Sequence, residues 1–162
     1  MPITEVKKWI PSQGKNIILI YGLPGSGKTT LAVHLQRHLA DSVHINADCV
    51  RAAASDWDFS DEGRLRQAER MHFLAEASPH QTVILDFVCP RAAYRTLIRP
   101  SISLFMDTIK EGRFADTNSL FERPDTDGQF VRFVDGQIQY RLLETAPEHG
   151  PFRLCVNKHM PC

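Results

Sequence analysis

G-L-P-G-S-G-K-T, Gly22 to Thr29, decides the fold. I-I-L-I-Y (17–21) precedes it as a continuous apolar run, the mark of a strand buried on both faces. K-T-T-L-A-V-H-L-Q-R-H-L-A (28–40) follows, with Leu31, Leu35 and Leu39 at helical spacing. The eight residues match G-x-x-x-x-G-K-[ST] in full, in the strand-then-helix setting the motif requires. Its glycines let the backbone curl so that successive N–H groups point inward, at the positive end of the helix, where they stabilise phosphate oxygens. Gly22, Leu23, Pro24, Gly25, Ser26, Gly27, Lys28, Thr29 and the adjoining Thr30 are therefore the expected triphosphate cradle. Lys28 is placed to reach the β and γ phosphates, and the Thr29 hydroxyl to ligate Mg²⁺.

Outward from this loop, apolar runs alternate with helical patterns. S-V-H-I-N (42–46), T-V-I-L-D-F-V (82–88), I-S-L-F-M (102–106) and Q-F-V-R-F-V (129–134) read as further strands. A helix is predicted over 61–77, with Ser60 as its cap and Asp61 and Glu62 in its first turn. Its buried face is expected to carry Leu65, Ala68, Met71, His72 and Ala75. A short helix is predicted within Pro90–Ile98, and 107–128 reads as loop with about one helical turn. Beyond 135 a hairpin around Asp135-Gly136 and a helix over 137–145 both stay open. The pattern predicts an α/β P-loop NTPase fold, with a mostly parallel sheet of about five strands flanked by helices. One domain is expected over 1–162, with 1–16 as an amphipathic N-terminal lead-in (Val6, Trp9, Ile10) and 135–162 as a C-terminal extension.

The bulk numbers limit the function classes. Lys+Arg and Asp+Glu number 19 each, which argues against a broad nucleic-acid footprint or a polybasic membrane surface. No apolar run nears the ~20 residues of a membrane span, and M-P-I-T-E-V-K-K-W-I lacks a signal-peptide core. The expected compartment is the cytoplasm, or a host's cytoplasm for a phage-encoded chain. Cys49, Cys89, Cys155 and Cys162 form no C-x-x-C pair and read as reduced thiols; His159 between the last two lacks the spacing of a metal site.

Ligands of such sheets bind at the carboxyl ends of the strands. Asp86, at the end of the third run, is a candidate Mg²⁺ carboxylate, directly or through water. I-N-A-D-C-V-R, Ile45 to Arg51, follows the second run and puts Asp48 and Arg51 on the turn into a helix. Asp48 stands where a kinase needs a base or orienting carboxylate at the attacking hydroxyl, the other reading being a helix cap. Arg51, three residues on, suits a bidentate grip on an anionic acceptor.

At these residues the chain resembles the adenylylsulfate kinases, which phosphorylate the 3′-hydroxyl of adenosine 5′-phosphosulfate (APS) with ATP. That family reads G-L-x-G-x-G-K-T-T-[IL]-A, then L-D-G-D-N-V-R, G-F-S-x-x-D-R-x-x-N-I-R-R, F-I-S-P and F-T-G-I-D-x-P-Y-E-x-P. The counterparts here are Gly22 to Ala32, I-N-A-D-C-V-R, D-F-S-D-E-G-R-L-R-Q-A-E-R (58–70), F-V-C-P (87–90) and F-A-D-T-N-S-L-F-E-R-P (114–124), in the same order. The resemblance implies that Asp48 lies near Mg²⁺ and the acceptor hydroxyl, that Arg51 and Arg64 bind the acceptor's phosphosulfate, and that Phe59 and Phe114 sandwich its adenine. Arg70 matches the last Arg of the third motif. Asn46, Ala47, Cys49, Gly63, Gln67 and Cys89 depart from the pattern. The family's long lid segment has no counterpart between Met106 and Phe114, so D-T-I-K-E-G-R offers Lys110 and Arg113 alone as lid cations. The compact form resembles APS-kinase-like proteins of phages.

I-N-A-D-C-V-R is also similar to the I-N-R-D-D-Y-R-like segments of polynucleotide kinases. The expected cofactors are ATP and Mg²⁺, and the expected activity is ATP-dependent phosphorylation of an alcohol group, with Lys28 and Asp48 as catalytic residues. The expected partner is a small nucleotide acceptor. A nucleic-acid substrate (a polynucleotide or hydroxymethyl-pyrimidine DNA), an ATPase or switch without acceptor, and a homodimer are left open.

Overall fold

In the computed structural model, residue 10 and residues 13–124, 128–134 and 137–143 are described. The sheet has six strands: β1 (Asn16–Tyr21), β2 (Ser42–Asn46), β3 (Thr82–Phe87), β4 (Ile102–Met106), β5 (Gly128–Val134) and β6 (Gln137–Leu143). Their order is β2-β3-β1-β4-β5-β6. All neighbours are parallel except β5 and β6, which form an antiparallel pair. The expected five strands thus become six, and strand pairing rather than a helix follows position 135; the connecting 135–136 lies outside the described residues.

Five helices are described: α1 (Lys28–His38), α2 (Ala47–Ala54), α3 (Asp61–Ala77), α4 (Ala92–Ile98) and α5 (Ala115–Leu120). β1 is buried throughout, and apolar from Ile17 on, because helices cover both of its faces. Ile18 and Ile20 point to the α1 side and join Leu31, Leu35 and Leu104. Ile17, Leu19 and Tyr21 point the other way, to Met71 and Ala75 of α3 and Ile98 of α4. Ile10 packs on the first cluster, while Val6 and Trp9 lie outside the described residues. So do Cys155, His159 and Cys162; Cys89 is a buried free thiol and Cys49 an exposed one.

Some boundaries shift. The first helix stops at His38, because Leu39 turns to extended backbone as its C-cap. Strand β3 ends at Phe87, α4 starts only at Ala92, and the turn expected in 107–128 is α5. Helix α3 begins as expected, with the Ser60 hydroxyl oxygen accepting from the Gly63 N–H at 3.1 Å. Its buried face differs: Gly63, Arg64 and Gln67 join Ala68, Met71 and Ala75, while Leu65 is exposed. Gln67 is tolerated inside because its Nε2 donates to the Ala47 carbonyl at 3.0 Å, which satisfies a buried amide and ties α3 to α2. Among the described residues, no helix is long and apolar enough to cross a membrane.

Candidate active site

The carboxyl ends of β1, β2 and β3 lie side by side, in register Ile20–Asp86 and Asn46–Asp86. The loop 22–27 after β1 must fold into a tight space. A Cβ on Gly22 would fall 2.9 Å from the Met106 carbonyl oxygen and 3.0 Å from Ser26 Oγ. Gly27, at φ 93°, caps α1 in the left-handed region, which only glycine enters freely. Lys28 is buried, and its Nζ donates to the Leu23 carbonyl at 3.0 Å across the loop. Burial pushes the Lys28 ammonium below its ordinary value, while the charges of Asp86 and Asp48 pull the other way. Ser26 Oγ is buried without a hydrogen-bond partner among the described residues. Thr30 and Thr29 are exposed at the start of α1.

Asp86 is the hub of this edge. Its Oδ2 accepts from Thr29 Oγ1 at 2.6 Å and Asn46 Nδ2 at 2.8 Å, and lies 3.3 Å from His44 Nε2. Burial pulls its pKa up. The His44, Thr29 and Asn46 hydrogen bonds and the Lys28 charge outweigh that and hold the carboxyl below its ordinary range. A hydroxyl and a carboxylate in contact beside a phosphate loop are hard oxygen donors of the kind Mg²⁺ takes, with waters and substrate phosphates completing its shell. Among the described residues there is no cluster of three or more His, Cys, Asp or Glu side chains to cage a metal. The donor set fits an Mg²⁺ shared with a bound triphosphate.

Helix α2 starts from this hub, and its cap is Asn46 rather than Asp48. Asn46 Oδ1 accepts from the N–H groups of Asp48 (3.0 Å) and Cys49 (3.1 Å) while its amide donates to Asp86. The Asp48 carboxylate is left exposed in the first turn of α2, free of capping duty. Arg51, one turn on, is buried. Its Nη1 donates to the carbonyls of Asp56 (3.1 Å) and Asp58 (3.0 Å), and its Cζ sits 4.6 Å from the centre of the Phe59 ring. Arg64 is buried too: Nε donates to the Phe59 carbonyl at 2.9 Å, Nη2 meets Asp116 at 3.2 Å, and Cζ is 5.6 Å from the same ring. Both arginines therefore brace Phe59 as well as facing the site.

One cavity of about 400 Å³ gathers most of the predicted residues. Pro24, Gly25, Lys28, Thr29, Asp48, Arg51, Phe59, Arg64, Asp86, Arg113 and Phe114 all line it. Phe59 (50% exposed) and Phe114 (46% exposed) belong to no core cluster, so neither is an ordinary packing residue. Gly22, Leu23, Ser26, Gly27 and Thr30 shape the loop without lining the cavity, and Lys110 is exposed outside the lining. Arg113 lies over the Phe114 ring at 4.9 Å. The short segment before Phe114 is docked on the phosphate loop. Thr108 Oγ1 donates to the Ser26 carbonyl at 2.7 Å, and Asn118 exchanges two hydrogen bonds with the Gly112 backbone.

Several contributors escaped the sequence reading. Asn46 is both cap and Asp86 partner, signalled only by an Asn ahead of a helix start. His44 has no local signal, being one residue of a strand. Trp57 lines the cavity at 54% exposure. Arg70, matched to the family's third motif, donates to Gln67 and Asp56 and does not line the cavity.

The family model described as adenylylsulphate kinase matches residues 14–139. No curated protein matches the chain. Among solved structures, the crystal structure of APE1195 is 26% identical, over 59% of this chain and 62% of that one, with a TM-score of 0.51. A cysteine-to-alanine mutant of the Mycobacterium tuberculosis APS kinase CysC is 23% identical over 72% of this chain and 83% of that one, at a TM-score of 0.55. The same enzyme in complex with AMPPNP and APS is 22% identical over 67% and 69%, at 0.50. The M. tuberculosis pair carries the fold alone, and this chain spans less than two thirds of APE1195.

Proposed function

The chain belongs to the adenylylsulphate kinase family, and on that premise we propose that it is an ATP-dependent kinase acting on the 3′-hydroxyl of APS or a close nucleotide relative. One observation carries the reading: Lys28 and Thr29, Asp48, and the Arg51–Phe59–Arg64 group with Phe114 all line a single cavity. A donor cradle, a carboxylate and an anion-and-ring pocket on one wall-to-wall surface are the parts that phosphoryl transfer to a nucleotide hydroxyl needs.

In this reading the triphosphate of ATP lies in the loop 22–29, with Lys28 against its β and γ phosphates. Thr29 and Asp86, the latter directly or through water, would hold Mg²⁺. When bound, the ion neutralises charge building between the β and γ oxygens. Asp48 orients the acceptor hydroxyl and takes its proton as the oxygen attacks the γ-phosphorus and ADP leaves. Arg51 spends Nη1 on loop carbonyls, so its remaining N–H groups, with Arg64, meet the acceptor's anionic group. Arg113 and Lys110 stand on the short lid segment to offset charge on the transferred phosphoryl group.

A second reading, a kinase for polynucleotide 5′-hydroxyls or for the hydroxymethyl groups of modified pyrimidines in DNA, is favoured by the short lid segment and the half-exposed rings lining the cavity. γ-labelled ATP offered with APS, 5′-hydroxyl oligonucleotides and hydroxymethyl-DNA tests both. We expect label on APS. Label on DNA alone, with steep salt dependence, would favour the second reading. Hydrolysis unaffected by any acceptor would sink both and leave a bare ATPase.

A further inference from the structure

The segment 55–60 joining α2 to α3 is pinned residue by residue. Arg51 holds the carbonyls of Asp56 and Asp58. The Asp56 carboxylate accepts from Arg66 Nε (2.9 Å) and Nη2 (3.1 Å), Arg70 Nη2 (2.9 Å) and the Asp58 N–H (3.2 Å). Asp58 in turn accepts from Arg66 Nη2 at 3.0 Å and from the Ser60 N–H at 2.9 Å. Between the two clamped aspartates stands Trp57. Its ring is 54% exposed, lies 6.5 Å from the Phe59 ring at a tilt of 40°, and lines the cavity that holds Lys28, Asp48 and Phe114.

A large apolar ring left half in water costs free energy, and single exposed rings elsewhere are ordinary. Phe73, 68% exposed on α3, is such a case: it does not line the cavity of the phosphate loop. Trp57 differs in being fixed on both sides and turned to a cavity already furnished with cations and a second ring. A platform ordered before its ligand arrives loses little further freedom on binding. Indole also offers a large flat π-face on which a heterocyclic base can stack.

We propose that Trp57 is a specificity-determining residue of the acceptor site, stacking with Phe59 on the nucleobase of the acceptor, and that the Asp56–Arg66–Arg70 clamp positions it. This rests on the reading of the cavity as a nucleotide-acceptor site and adds a residue and a device to it. The recognised chemistry is a planar base carrying an anionic group, the base at Trp57 and Phe59, the anion at Arg51 and Arg64.

The chain has two tryptophans, Trp9 and Trp57, so a Trp9→Phe protein reports on Trp57 alone. APS added to it without ATP is expected to quench the emission saturably, while AMPPNP alone leaves it unchanged. In steady-state transfer, Trp57→Ala raises the KM for APS roughly fivefold to a hundredfold and leaves the KM for ATP where it was. Trp57→Phe restores most of the loss, and Asp56→Asn added to Trp57→Ala adds little. Equal quenching by AMPPNP and APS, or no quenching with an unchanged APS KM in Trp57→Ala, overturns the proposal while the kinase reading stands. Saturable quenching by APS in a protein that transfers phosphate to nothing keeps the ring site and removes the kinase reading.

Discussion

Gly63→Ala should destabilise the protein although it adds a good helix former inside α3. Gly63 is buried in the first turn of α3, facing the pinned segment. A Cβ there would fall against the Asp58 carbonyl oxygen, 2.5 Å from its Cγ and 2.7 Å from Oδ2. Carbon contacts are comfortable near 3.5–4.0 Å, so the two elements must part by about 1 Å. Retreat of Asp58 strains the Arg51–carbonyl bond (3.0 Å) and the bond to the Ser60 N–H (2.9 Å). The helix gains about 1 kcal/mol from Ala over Gly. Overpacking costs about 1–3 kcal/mol, and each weakened hydrogen bond adds about 1 kcal/mol. The balance is a net loss of about 2–4 kcal/mol, measurable by urea unfolding as a lower midpoint at unchanged slope. The decisive comparison is the same change made in an Asp58→Gly background. Two of the three obstructing atoms are then gone and the residue 58 carbonyl can turn, so Gly63→Ala should cost at least about 1 kcal/mol less. The family pattern G-F-S-x-x-D-R has Gly before the Phe and Asp before the Arg; here the two are exchanged, as Asp58 and Gly63. If the double-mutant cycle closes to within about 0.5 kcal/mol of additivity, the exchange is coincidental and the steric argument is wrong.

Asp48→Asn should abolish phosphate transfer and leave nucleotide affinity near wild type by calorimetry, because Asp48 caps nothing; parallel loss of both would make it structural. Asn46→Ala removes a cap for two N–H groups and one of the Asp86 bonds, for a cost of about 1–3 kcal/mol in thermal or urea unfolding. It should also change the acid limb. The Asp86 carboxyl is held below its ordinary range, so it contributes stability above that range and loses it as pH falls through the folded value. Taking away one partner shrinks that contribution and moves the loss to higher pH. For Lys28 the sign is reversed. Burial holds its folded pKa below 10.5, so the ammonium needed at the phosphates is lost at lower pH than for a free lysine, and kcat/KM for ATP should bend downward below pH 10.5. An alkaline limb at or above 10.5 would contradict the burial argument.

The elements most legible in the sequence are those whose physics is local. Eight consecutive residues set the backbone of the phosphate loop, and the cap at Ser60 with Asp61 and Glu62 behind it marks the start of α3 without reference to anything distant. Strands β1 and β3 announce themselves because helices cover both faces and no alternation is required. Burial of polar groups by distant partners is what hydropathy misses. Leu65 looks like core and is exposed, while Gln67 and Arg64 look like surface and are buried, one on the Ala47 carbonyl and the other on the Phe59 carbonyl. The same holds for Asn46: its side chain faces both α2 and Asp86, forty residues on in the chain, so its double role exists only once β2 and β3 pair.

The acceptor side follows from this pattern of polar burial. Arg51 and Arg64 cannot be assigned to structure or to ligand alone. Arg51 is held by the Asp56 and Asp58 carbonyls, Arg64 by the Phe59 carbonyl and the Asp116 carboxylate, and each lies against the Phe59 ring while lining the cavity. A guanidinium so held is already desolvated and oriented, which removes much of the ordering cost that an anionic ligand would otherwise meet. The cavity carries Lys28, Arg51, Arg64 and Arg113 against the carboxylates of Asp48 and Asp86. The charge of Asp48 acts both on Lys28 in the phosphate loop and on Arg51 against the Phe59 ring. On the proposed reading Lys28 serves the donor phosphates and Arg51 the acceptor's anion, and Asp48, coupled to both, orients the hydroxyl that is phosphorylated.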